Sequence, residues 1–180
     1  MIFHRLGLIN KDQRGFSLTE LMLAFLIAGI ITAGITITIF SVVSGNIRTS
    51  NHMTAVRQAQ SAGYWVSHDA QMAQPQKVVA SGALPFTLKW TDWAGDDHEV
   101  VYTFVDMSGS GLKNLQRSYT INGGTAETSI IAQFIDPDPA MTGCDFTDGK
   151  LTFRVTATVG AGSRYEQSET RIYEIVPRPE

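Results

Sequence analysis

The sequence predicts an α+β fold: a long N-terminal α-helix, with a transmembrane half and an amphipathic half, packed on a C-terminal antiparallel β-sheet head. Three observations predict it. After Glu20 no charged side chain occurs until Arg48, which leaves 27 consecutive uncharged residues. Between residues 53 and 73, apolar and small residues recur at spacings of three and four, the helical period. After Pro75 the period changes to two, and Gly, Asn, Asp and Ser clusters separate the alternating runs. The chain thus divides into a leader (1–15), a hydrophobic transmembrane or assembly helix (16–47), an amphipathic continuation (48–74) and a β-rich globular head (75–180).

The leader, MIFHRLGLINKDQRG, carries Arg5, Lys11 and Arg14 against Asp12. A basic segment before an apolar run stays cytoplasmic, so the head is expected outside the membrane. The uncharged run would rise about 40 Å as a helix, against a hydrocarbon core of about 30 Å. A secretory signal peptide fits poorly, because its apolar core spans only about 7–15 residues. A plain single-pass anchor explains the run but not the acid at its leading edge. Glu20 stands where a spanning helix should be apolar, and an ionisable group there is costly unless paired.

Gly15, then Phe16 as first apolar residue, then Glu20 four positions later, then an unbroken apolar helix: this pattern resembles the prepilin leader of type IV pilins and type II secretion pseudopilins. The resemblance covers about the first third of the chain. It implies cleavage after Gly15 by a prepilin peptidase, with N-methylation of the new terminus at Phe16. It also implies an assembly role for Glu20, paired with the N-terminal amine of an adjacent subunit. The implied partners are that peptidase, other pilin or pseudopilin subunits, an inner-membrane assembly platform and the membrane itself. The chain departs from many pilins at Ile37, where a proline often stands. Ala24, Ala28, Gly29, Ala33 and Gly34 are small enough for close helix contact, and equally are common in membrane helices.

The amphipathic half places Met53, Val56, Ala59, Gly63, Val66, Ala70 and Ala73 on one stripe. Arg48, Arg57, Gln58, His68, Asp69 and Gln71 fall mostly off it, and Tyr64 and Trp65 are expected to pack on the sheet. Pro75 ends the helix at or before Gln74. The expected strands are 77–80, 86–90, 99–105, 115–121, 129–135, 150–159 and 170–176. Leu151 to Val159 alternates most regularly, as in a sheet with one buried and one wet face. Asp148-Gly149, between Phe146 and Leu151, reads as a tight hairpin. Asp136-Pro137-Asp138-Pro139 reads as a rigid surface loop.

Composition narrows the chemistry. A net charge of −3 gives no basic surface for direct nucleic-acid binding. The single cysteine, Cys144, excludes an internal disulfide and multi-thiolate metal sites; it reads as a structural thiol, or as an intermolecular bridge outside the membrane. His4, His52, His68 and His98 form no catalytic spacing, and neither a phosphate loop nor an HExxH is present. The expectation is therefore no enzyme and no cofactor. One constellation remains: Asp92, Asp96, Asp97 and Glu99 could supply oxygens to Ca²⁺, against the simpler reading of a solvated acidic turn. The β-rich head lacks a cysteine pair closing a C-terminal loop. It is loosely similar to larger minor pilins and J-type or W-type pseudopilins, which serve pilus, competence (DNA uptake) or protein-secretion machines. The alternative is a membrane-anchored extracytoplasmic binding module using the Trp90–Trp93 acidic turn.

Overall fold

The computed structural model describes residues 15–178. The leader ahead of Gly15 lies outside the described residues. One helix, α1 (Leu18–Met72, 55 residues), precedes seven strands: β1 (Phe86–Thr91), β2 (Asp97–Asp106), β3 (Lys113–Ile121), β4 (Glu127–Ile135), β5 (Gly143–Thr147), β6 (Lys150–Val159) and β7 (Gln167–Ile175). The chain forms two compact units, one ending at Val43 and the other beginning at Ser44.

In the first unit every described side chain is exposed. The segment is rich in Ile and Thr, which are modest helix formers in water. In a bilayer, however, a helix satisfies its own backbone. Its threonines do not break this economy. Thr32, Thr36 and Thr38 each donate to the carbonyl four residues back, at 2.8, 2.8 and 2.9 Å.

In the second unit α1 packs on one antiparallel sheet ordered β1-β2-β3-β4-β6, with β5 and β7 both paired to β6. The helix offers Ala55, Ala59, Ala62, Gly63, Val66, Asp69 and Ala70 as its buried face, and Ala73, just past its end, is buried too. The sheet answers with large side chains: Phe86, Leu88, Tyr102, Leu115, Ile135, Leu151 and Phe153 are all essentially inaccessible. Small residues on the helix bring it close to the pleated surface, and bulky ones on the sheet fill the space between. At Gly63 the approach is so close that a Cβ would lie 2.0 Å from the Tyr173 ring.

The architecture agrees with the sequence expectation, and five details correct it. Residues 77–80 do not form a strand. Pro75 opens a single 3-10 turn to Lys77, and only Val79 reaches the ladder, as an isolated bridge to Thr87. A strand not expected, β5, pairs with β6 through the Asp148-Gly149 hairpin, where both residues adopt positive φ (54° and 74°). The second face of β6 is wet only in its first half: Arg154 is exposed, but Thr156 and Thr158 are buried. The 136–142 loop covers Thr156, with Asp136 N donating to Thr156 O and the Thr156 hydroxyl donating to Met141 O. On α1, Met53 is half exposed while Ala55, Ala62 and Asp69 are buried, so the stripe is rotated from the expected one. Tyr64 does not pack on the sheet; it is 64% exposed.

The sheet is divided in its middle. β4 pairs with β3 along its length but meets β6 only at Ile135↔Ala157. Phe134, just before that bridge, has φ 61°, a strained value for a bulky side chain. The helix closes the gap. Ser61 Oγ donates to Ile131 O at 2.6 Å, and Gln133 N donates to Gln58 Oε1 at 2.8 Å. Those two side chains satisfy backbone groups of a strand edge that would otherwise be unpaired.

Candidate processing and assembly site

Gly15, Phe16 and Ser17 precede the helix. Leu21 N donates to Ser17 O at 3.1 Å, the first helical bond, which makes Ser17 the N-cap. Glu20 is then the third helical residue, and Ser17-Leu18-Thr19-Glu20 has the S-x-x-E spacing of a capping box. This signal was present in the sequence beside the misplaced acid. Ser17 Oγ lies 2.8 Å from Thr19 Oγ1. Among the described residues Glu20 has no ion-pair partner, and its carboxylate stands near the positive end of the helix. Gly15 has nothing within 4 Å of where a Cβ would stand.

The four candidate calcium ligands are not brought to one point. Asp92 Oδ1 accepts from Ala94 N (2.8 Å) and Asp96 N (3.0 Å), and Asp92 Oδ2 lies 3.3 Å from His98 Nε2. The Asp96 backbone hydrogen bond is the main reason its carboxyl is held below the ordinary range. Asp96 Oδ1 accepts from Asn122, Asp97 Oδ1 from Thr91, and Glu99 pairs with Lys89 at 3.0 Å. The Thr91 hydrogen bond, then Lys77, lowers Asp97 in the same way. Each carboxylate thus has its own protein partner. Among the described residues no group of three His, Cys, Asp or Glu side chains is placed to hold a metal ion.

A polar cluster that the sequence reading missed holds α1 to the sheet. Asp69, 1% exposed, receives Arg117 Nε (2.7 Å), Arg117 Nη2 (3.0 Å) and the Tyr102 hydroxyl (2.5 Å). Burial, and then the Asp69 charge, push the Tyr102 phenol far up, while the Asp69 hydrogen bonds raise Arg117. The Arg117 guanidinium lies between the Trp65 and Tyr119 rings, 5.1 and 5.0 Å from their centroids. Tyr119 stacks on His98, which stacks on Trp90 at 5.1 Å. Trp93, at the next turn, is 99% exposed. The available signal was phase. Asp69 follows Val66 by three on the buried stripe, and Arg117 alternates with Leu115 and Tyr119 on the inward face of β3.

In the head, His98 Nδ1 lies 2.7 Å from the Tyr119 hydroxyl and its Nε2 3.3 Å from Asp92 Oδ2. No curated protein and no solved structure matches the chain. Residues 10–36 match the family model described as the prokaryotic N-terminal methylation motif. That stretch contains the Gly15-Phe16 junction, the Ser17 cap and Glu20, and it continues into the apolar helix. The match covers the prepilin-type N-terminal methylation motif alone, and it runs into the one helix among the described residues that is long and apolar enough to cross a membrane.

Proposed function

We propose that the chain is a subunit of a type IV pilus, competence or type II secretion filament, and a minor one rather than the bulk subunit. It is made as a precursor in the cytoplasmic membrane with its N-terminus inside and its head outside. A prepilin peptidase cuts between Gly15 and Phe16, and an assembly platform passes the mature chain to the filament. The observation that carries this reading is one acid, Glu20, at the third position of a helix followed by 27 uncharged residues, inside the matched motif. Cleavage puts a cationic amine on Phe16, one residue before the helix cap. Amine and helix N-terminus are then both positive, and Glu20 is the carboxylate within reach to offset them. In a packed filament the amine of a neighbouring subunit offsets the burial cost of Glu20. The single cysteine and the strand-rich head support a minor subunit.

Mass spectrometry of the mature N-terminus is the test. A methylated Phe16 supports the reading, and an intact Met1 overturns it. Glu20→Ala should still insert into the membrane but fail to enter filaments; normal incorporation would sink the assembly role. A second reading, an extracytoplasmic binding module on a helical anchor, is favoured by one observation, the fully exposed Trp93. Intact Met1 with a soluble ligand protecting Trp93 from modification would favour that reading instead.

A further inference from the structure

The β6–β7 loop is tied to α1 immediately after the apolar segment. Ser44 follows Val43 in sequence, and its hydroxyl lies 3.2 Å from the Tyr165 hydroxyl. Asn51 Nδ2 donates to Tyr165 O at 2.9 Å. Gly160, with φ 74°, lets the loop start against the helix: a Cβ there would lie 2.8 Å from Asn51 Nδ2. The Arg164 guanidinium sits over the Tyr165 ring, 4.5 Å from its centroid, and donates to its hydroxyl. The Ser44 hydrogen bond first, then Arg164 and the charge of nearby Arg48, hold the Tyr165 phenol below its ordinary range. Arg48 and Arg164 are both exposed, and among the described residues neither meets a carboxylate. The loop's own acid, Glu166, is occupied by the backbone N of Gly162 at 2.7 Å.

We propose that Arg48, Arg164 and Tyr165 form a lipid-headgroup collar, which seats the head on the phosphates of the bilayer surface. This rests on the reading of the apolar segment as membrane-spanning. An aromatic ring with a polar tip, set where an apolar helix ends, belongs chemically at a membrane–water interface. Guanidinium groups match phosphate oxygens with paired N–H donors, and juxtamembrane arginines are drawn to anionic headgroups. Arginines on the exported side also run against the usual charge bias of membrane proteins, and phosphate pairing accounts for their presence. Entry into a filament requires these phosphate contacts to be given up.

The test uses the full chain in lipid nanodiscs containing phosphatidylglycerol. Ala161 is exposed in the loop, whereas Cys144 is buried and its thiol pushed up by that burial, so Ala161→Cys takes a nitroxide label selectively. The label should be relaxed by a lipid-anchored nickel chelate, and Arg48→Glu with Arg164→Glu should cut that relaxation roughly threefold. Arg57→Glu, further along α1, should leave it unchanged, and so should inorganic phosphate in the buffer. Near-ultraviolet circular dichroism confirms that the charge variants keep the native head. Equal access to a water-soluble relaxant in the parent and the double variant overturns the collar. Failure of the chain to insert into the discs overturns both the collar and the membrane reading. Insertion with a fully aqueous loop overturns the collar alone.

Discussion

Replacing Asp69 by Ala should loosen α1 from the sheet more than any other single change on the helix. The substitution removes a carboxylate that is 1% exposed and accepts three side-chain hydrogen bonds. Breaking a buried pair from one side costs about 3–5 kcal/mol, because the remaining charge is left uncompensated. Arg117 keeps its place between Trp65 and Tyr119, and its side chain is 15% exposed, so water can reach it in part. That puts the expected loss near the lower end, about 3 kcal/mol. For a unit of this size the melting temperature should fall by ~10 °C. Near-ultraviolet circular dichroism in detergent reads the head's tryptophans, whereas far-ultraviolet signal would be dominated by the apolar helix. Asp69→Leu combined with Arg117→Met should recover most of the loss, since a well-packed apolar pair can replace a buried ion pair. A shift under ~2 °C for Asp69→Ala, or a double variant no better than the sum of its singles, would refute the reasoning.

Three further outcomes are expected. Tyr102→Phe should change the alkaline limb of stability. The folded-state value of Tyr102 is raised above that of the unfolded chain, so its contribution is complete below pH ~10. That contribution is lost as pH rises above ~10, at up to about 1.4 kcal/mol per pH unit, and denaturant titrations of the variant should lack this component. Gly63→Ala should cost about 1–3 kcal/mol by driving a methyl into the Tyr173 ring, and thermal melts should show Tyr173→Leu relieving part of it. Gly15→Leu should leave the precursor uncut in cells that carry a prepilin peptidase, and a shortened product on a gel would count against the cleavage site.

The parts of this fold legible in the sequence were those governed by one local signal. The helix ended within two residues of its expected stop because Pro75 both lacks a donor and restricts Gln74. β6 kept its expected bounds, Lys150–Val159, because its alternation is long and one end is fixed by Asp148-Gly149. β5 was missed because Gly143 and Cys144 are both buried and break the alternation. Gly143 is there for closeness, since a Cβ would lie 2.2 Å from Gly82 O. The stretch from 77 to 80 looked like a strand by composition. Gln74 before it and Val79 within it instead bond the edge of β1, and a chain fastened on both sides of a 3-10 turn makes no ladder of its own. The Gly15, Phe16 and Glu20 pattern was legible because it is contiguous. Asp69 with Arg117 was not, because the two are 48 residues apart and only the packed fold brings them together.

The divided sheet gives the head a mechanical grain. Strands β1 to β4 and strands β5 to β7 share one strand-to-strand bridge, Ile135–Ala157, beside the flanking bonds Asp136 N to Thr156 O and Gly82 N to Cys144 O, and Gln58 and Ser61 lace the near side to the helix. Tension drawn through α1 therefore reaches the two halves by separate attachments: Ser61 to β4 and Asp69 to Arg117 and Tyr102 on one side, and the Tyr173 hydroxyl to Ala59 O and Asn51 to Tyr165 O on the other. The seam is thus the line across the sheet where the fewest ladder hydrogen bonds oppose separation of the two halves.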